Sequence, residues 1–382
     1  MTVGFTPSER FKSFSQWHGQ PLPMHVSVWA NYLQPSLVAS LEQWARLKGT
    51  TNSQGDAFDI ELGFVERRRL PNAICGWAGG AHVILMYHTM PMMLLELCYT
   101  MMRNADVLRD VGEPAAPGHT TDFLGVPGFE LVTGSQKVGG LGEIADLFGP
   151  ACPERRAAAL EMYHSAMRFV WEHEISHAVN GHVHYLKNHL GTAEIDESVL
   201  HDSRTMSEKQ KILCYLESQA DAGAAFTCVV APIRAKIIFP NFLSSDQVPG
   251  LVRQCRLRIV SIALLAWSWM VGDVMRADGD VRAAETWTGH PSGLVRSLSA
   301  VLRPLAQSSL VGEEIEYIVH QACEAATCDL LSLADLSPVF RPYRWLIRDD
   351  MYVNLIADYD LNESKRNEVN QELAAYRYMG GR

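Results

Sequence analysis

His173-Glu174-Ile175-Ser176-His177 is the stretch around which the rest of the chain can be read. A four-residue spacing sets two imidazoles one turn apart on one helical face, where both can grip a single Zn²⁺. Glu174 stands on the flank of that face, placed to take a proton from a zinc-activated water without ligating the metal. The flanking text predicts a long helix. Pro153 suits a first turn, Arg155-Arg156-Ala157-Ala158-Ala159-Leu160 follow, and Gly191 can end the helix after Leu190.

A second helix is announced by Ser207 with Gln210 three residues on, a capping box, and continues through Lys211 to Asp221, stopping before Pro232. Glu217 lies 40 positions after His177, enough for a connection and an antiparallel return. Asp221 follows four residues later and shares its face. Glu217 can complete a His₂Glu ligand set, and Asp221 can accept the outward N–H of a ligating imidazole. The expected ligands are therefore His173, His177 and Glu217, one zinc per chain, with Glu174 as general base and Asp221 as orienter.

These interlocking patterns resemble the gluzincin zinc metallopeptidases, in which HExxH is followed on a later helix by ExxxD. Glu217-Ser218-Gln219-Ala220-Asp221 is similar to the E-x-x-A-D form of the HtpX and CAAX-processing type. Asn72-Ala73-Ile74-Cys75, Gly79-Gly80 and His82-Val83-Ile84-Leu85-Met86 look like the upstream edge-strand region of those enzymes. Gly289-His290-Pro291-Ser292 with Arg296 is similar to their H-P-x-x-x-x-R segment. The resemblance covers roughly residues 60 to 300. It implies His82, Val83 and Ile84 as a substrate-binding edge by β-augmentation. It also implies His290 as the group that stabilises the oxyanion, with Tyr185 or Tyr215 as alternatives. Those peptidases are usually membrane-embedded, whereas soluble relatives include phage-exclusion peptidases of the Lit type, which the run Ile175 to His182 would suit. A metzincin is excluded by spacing, since its third histidine would fall on Val183 and its glycine on Asn180.

Composition is that of a globular enzyme: 47% hydrophobic and 20% charged. A formal charge of −10 argues against a nucleic-acid partner, because phosphate contacts need clustered Lys and Arg. The densest basic run, Glu66-Arg67-Arg68-Arg69, reads as a solvated turn. The eight cysteines form no CxxC pair, as expected of reduced thiols in a cytoplasmic protein. The opening Met1 to Arg10 has no apolar h-region. Ile259 to Gly272 is fourteen residues long, short of the roughly twenty that a span needs, and reads as a buried core helix.

The fold class expected is α+β and mostly helical, with a zincin-like catalytic core, a small sheet and additional C-terminal helices. Segments 1–55, 56–300 and 301–382 are expected as an N-terminal lead, the catalytic core and a helical region. Helices are expected over Pro35 to Leu47, Pro91 to Leu108, Glu313 to Leu331 and Glu363 to Tyr378, and strands over Asp59 to Glu66 and Ala81 to Tyr87. Gly- and Pro-rich residues 114–150 read as a long connection that either covers substrate or is a surface excursion. His182 and His184 read as surface or packing groups, His184 lying about 16 Å from His173 along a continuous helix. The function expected is a soluble zinc endopeptidase acting on a protein or peptide. The alternatives are a catalytically silent or non-peptidase zinc protein and a membrane-associated peptidase. Oligomeric state is not readable.

Overall fold

In the computed structural model the described residues are 7–22, 29–66, 72–116, 141–192, 194–195, 208–238, 247–276, 312–336 and 362–378. The chain is α+β and mostly helical with one small mixed sheet. It forms two compact units: Met1–Met90 with Val170–Gly223 and Ile356–Arg382, and Pro91–Phe169 with Ala224–Leu355. Both are built from non-contiguous stretches, so they do not follow the three consecutive segments expected.

The first unit holds α1 (Glu9–Ser15), β1 (Gln20–Leu22), α2 (Gln34–Leu47), β2 (Ile60–Glu66), β3 (Ala73–Ala78) and β4 (Ala81–Tyr87). Its sheet has the order β1-β2-β4-β3-β5, where β5 is Glu194–Ile195. β2 and β4 pair in parallel and the other neighbours are antiparallel. Gly79 and Gly80 both have positive φ, +53° and +81°, the backbone a two-residue hairpin turn requires, and they close Ala78 onto Ala81. All seven residues of β4 are buried. A strand covered on both faces reads as a continuous apolar run, which is why alternation is weak there. Phe11, Val65, Ile74, Val83, Leu85 and Tyr87 form a core around it.

The HExxH helix, α5 (Pro153–Val179), enters this unit at Val170. Trp171, fully buried, meets Phe64 of β2 edge-on at 5.7 Å, and the Ser40 hydroxyl of α2 donates to the buried Glu172 carboxylate. The helix stops at Val179, not at Leu190. Gly181 takes φ +77°, after which a short helix, α6 (His182–Tyr185), and a π-helical turn (Leu186–Leu190) reach Gly191. The second ligand helix, α7 (Glu208–Ala225), completes the site, and α11 (Glu363–Leu373) with the turns to Tyr378 returns to it.

The second unit contains α3 (Thr89–Arg103), α4 (Leu141–Phe148), the start of α5, α8 (Ala231–Ile238), α9 (Val248–Arg276) and α10 (Glu313–Leu336). Pro91 lies in the first turn of α3, where its missing N–H has no helical acceptor to lose. Pro232 does not end the helical run either. A π-helical turn, Phe226–Val230, precedes it, and Pro232 sits in the first turn of α8. Arg155 is fully buried and is saturated by backbone: its guanidinium donates to the carbonyls of Met102, Asn104, Val107, Leu108 and Val111 at 2.7–3.0 Å. Arg256 of α9 bridges Asp329 of α10 and Asp110. The apolar part of α9 that carries Ile259 to Leu265 is buried as expected. Among the described residues no helix is long and apolar enough to cross a membrane.

Candidate metal centre

Four-residue spacing on α5 does what it predicts. His173 and His177 stand on one face with their Nε2 atoms 2.9 Å apart, and both rings are 1% exposed. Glu217 arrives from α7 with its carboxylate across both, 3.2 Å from His173 Nε2 and 3.4 Å from His177 Nε2. One ligand atom from each of the three lies within 4.8 Å of the others, and among the described residues this is the group of its kind. Burial raises the affinity of Glu217 for a proton, but in the absence of a metal the charge of a protonated His177 and hydrogen bonds from both imidazoles outweigh it and hold the carboxyl well below its ordinary range.

The outer nitrogens decide what these rings offer. Asp221 Oδ1 sits 2.9 Å from His173 Nδ1 and is itself buried. A carboxylate there favours a proton on Nδ1, the tautomer whose Nε2 can coordinate a metal. His177 Nδ1 meets Nδ1 of His182 at 2.9 Å, and His182 Nε2 meets Gln219 Oε1 at 3.1 Å. Burial, with His177 beside it, pushes the pKa of His182 well below its ordinary value, so the ring is neutral. Donating to Gln219 through Nε2, it accepts from His177 through Nδ1. In those tautomers the two Nε2 atoms and the Glu217 carboxylate would converge as acceptors. Such a convergence of acceptors repels unless a proton or a cation lies among them. The donor set, two imidazoles and a carboxylate, is one that Zn²⁺ takes.

Glu174 is 3% exposed and stands next to His173 on α5. Its charge reaches Cys75 on β3, whose thiol is pushed well up first by burial and then by this carboxylate.

The substrate-edge expectation needs correction. β4 is an interior strand, paired along its length with β2 on one side and β3 on the other. His82, Val83 and Ile84 are all 0% exposed and offer no open edge to a peptide. Instead His82 packs among Phe58, Trp77, His184 and Tyr378. Burial lowers its pKa to about 3, with His184 adding to the effect, so it is a neutral ring. His290 and Arg296 lie outside the described residues. Tyr215 accepts a hydrogen bond from Asn370 at 2.7 Å, and Tyr185 stacks on His189 with its pKa raised to about 12 by burial and by Glu372.

His182 and Gln219 are the residues that sequence reasoning missed. A continuous helix would carry His182 away from His177; the break at Gly181 folds it back. Gly181, directly before His182, was the available signal, together with an amide two residues after Glu217. His184 remains a packing group, hydrogen-bonded at 3.1 Å to Tyr378.

The residues of this centre come from α5, α6, α7 and α11, all within the first unit. In comparisons with known proteins, no family model, no curated protein and no solved structure matches the chain.

Proposed function

We propose that the chain is a zinc-dependent endopeptidase with a zincin-like catalytic core, acting on a protein or peptide in a reducing, cytoplasmic setting. The observation that carries this reading is the convergence of His173 Nε2, His177 Nε2 and the Glu217 carboxylate, with the outward nitrogen of each imidazole already committed. The order HExxH followed by ExxxD adds the gluzincin resemblance, and the eight cysteines are all free thiols.

When bound, zinc supplies a Lewis acid that acidifies a water molecule and polarises a scissile carbonyl. The chain's own residues do the rest. His173, His177 and Glu217 would hold the ion with one negative charge, leaving it net positive. Glu174, adjacent to the ligand face, takes the proton of the attacking water and passes it to the leaving amine. Asp221 and His182 keep the two imidazoles in the orientation and tautomer that ligation needs. Burial of all these groups keeps bulk water from screening them.

Zinc content and peptide cleavage by the full-length protein test this, with Glu217→Ala and Glu174→Gln beside the wild type. About one zinc per chain is expected in the wild type and in Glu174→Gln, and little in Glu217→Ala. Glu174→Gln should lose at least about 10²-fold in cleavage rate. No zinc in the wild type after metal is restored would overturn the reading. Zinc with no cleavage of any unfolded protein or peptide library would leave a metal-dependent binding protein.

A further inference from the structure

α5 and α7 come close together at a glycine. Gly223 lies two residues after Asp221, in the last turn of α7, and Ser176 lies on α5 between His173 and His177. Both belong to the first unit. A Cβ on Gly223 would stand 2.7 Å from Ser176 Oγ and 3.5 Å from Ser176 Cβ. The Ser176 hydroxyl is anchored in its own helix, donating to the carbonyl of Glu172 at 2.7 Å. A glycine inside a helix costs stability relative to alanine, because it gives up more backbone freedom. A positive φ would give that cost a conformational reason, but Gly223 is helical and its φ is not positive. What glycine supplies here is space.

The same gap between helices is the one that Glu217 and Asp221 span. Glu217 stands 3.2 and 3.4 Å from the two Nε2 atoms, and Asp221 stands 2.9 Å from His173 Nδ1. Two ligand atoms on a tetrahedral zinc, each about 2.0–2.2 Å from the ion, lie roughly 3.3–3.6 Å apart. The helices thus already stand at the separation such an ion needs. An alanine at 223 would have to open its Cβ–Oγ distance from 2.7 Å to the 3.4 Å where ordinary contact begins. That difference, about 0.7 Å, exceeds the roughly 0.5 Å within which the groups of a site must be held.

We propose that Gly223, packed on Ser176, sets the separation of α5 and α7 at which the Glu217 carboxylate reaches both imidazoles, and so sets the metal affinity of the centre. The inference rests on the metal reading. Gly223 and Ser176 act on the ion through the placement of Glu217 and Asp221, as positioning residues. The price of a helical glycine is accepted at a point within two residues of Asp221, where spacing decides whether two helices supply one ligand set.

Full-length Gly223→Ala, Ser176→Ala and the double variant, compared with the wild type, test this. The readouts are zinc affinity by chelator competition, the visible spectrum of the Co²⁺-loaded protein, and the urea midpoint of the metal-free protein. Gly223→Ala should bind zinc about 10-fold more weakly, and its Co²⁺ band should lose intensity as water replaces the carboxylate. Its urea midpoint should fall little, because alanine gains helix propensity over glycine. Ser176→Ala should match the wild type. In the double variant the two Cβ atoms meet at an ordinary 3.5 Å, so affinity and spectrum should return. Affinity and midpoint falling together without rescue would mean general packing damage and overturn the proposal. Gly223→Ala binding zinc as tightly as the wild type, the result of a hydroxyl that swings aside, would overturn it too. Should Gly223→Ala fail to fold, Ser176→Cys enlarges the same contact from the α5 side and must weaken zinc binding for the proposal to stand. A wild type that takes up neither zinc nor cobalt overturns the metal reading and this inference together; a metal-binding wild type matched by Gly223→Ala overturns the inference alone.

Discussion

Gly181 and Tyr376 meet backbone to backbone: a Cβ on Gly181 would lie 2.5 Å from Cβ of Tyr376 and 2.7 Å from its carbonyl carbon. Two residues further, the N–H of Tyr378 donates to the carbonyl of Val179 at 3.0 Å. The end of the HExxH helix and the C-terminal turns are thus held together at the point where the helix breaks and His182 turns back. Gly181→Ala should cost at least about 1–2 kcal/mol for the left-handed backbone alone, with the clash added. Zinc affinity should fall with it, because His182 and Asn370 are both displaced. Urea unfolding and zinc competition with a chelator measure the two effects, and an unchanged midpoint would refute the packing described.

In the proposed zinc centre Asp221 acts only through His173. Asp221→Ala should therefore leave zinc stoichiometry near that of the wild type at saturation while weakening affinity by about 10- to 100-fold. Glu217→Ala should instead remove binding. Equal losses in a chelator titration would mean that Asp221 is itself a ligand.

The His82 ring offers a pH prediction. Its pKa is about 3 in the folded chain against 6.5 for an ordinary histidine. The unfolded chain therefore binds more protons between those values, so stability from this group is complete above about pH 6.5 and lost as pH falls toward 3. The full span corresponds to something on the order of 4–5 kcal/mol. His184, whose pKa is lowered chiefly by burial, acts in the same direction. Replacing His82 by Phe should flatten the acid limb of a stability–pH curve measured in urea. Parallel curves for variant and wild type would show that the ring finds a proton acceptor when charged.

Arg155→Met should destabilise the second unit by about 3–5 kcal/mol, because five backbone carbonyls lose a buried charged donor at once. Calorimetry should show the loss without a change in zinc content, since none of the ligands contacts this residue. A shift of under about 1 kcal/mol would mean that water replaces the guanidinium.

What was legible in the sequence was what local spacing dictates. Positions 173 and 177 share a helical face, and so do 217 and 221, whatever the rest of the chain does. The helix over Gln34–Leu47 and the strands Ile60–Glu66 and Ala81–Tyr87 also announced themselves through apolar content and turn residues. Strand order did not. Edge and interior strands differ in which neighbours they find, and a fully apolar strand such as Ala81–Tyr87 fits the interior, so the edge assigned to His82, Val83 and Ile84 failed.

Sequence alone thus determined the residue types of the candidate cluster and their spacing, because an α-helix converts a separation of four into proximity. Tertiary structure decided the partners of those side chains. His182 faces His177 because a left-handed glycine reverses the chain, and Asn370 faces Gln219 because the C-terminal turns pack on that glycine. Contacts between distant stretches depend on how helices dock, which no local periodicity encodes.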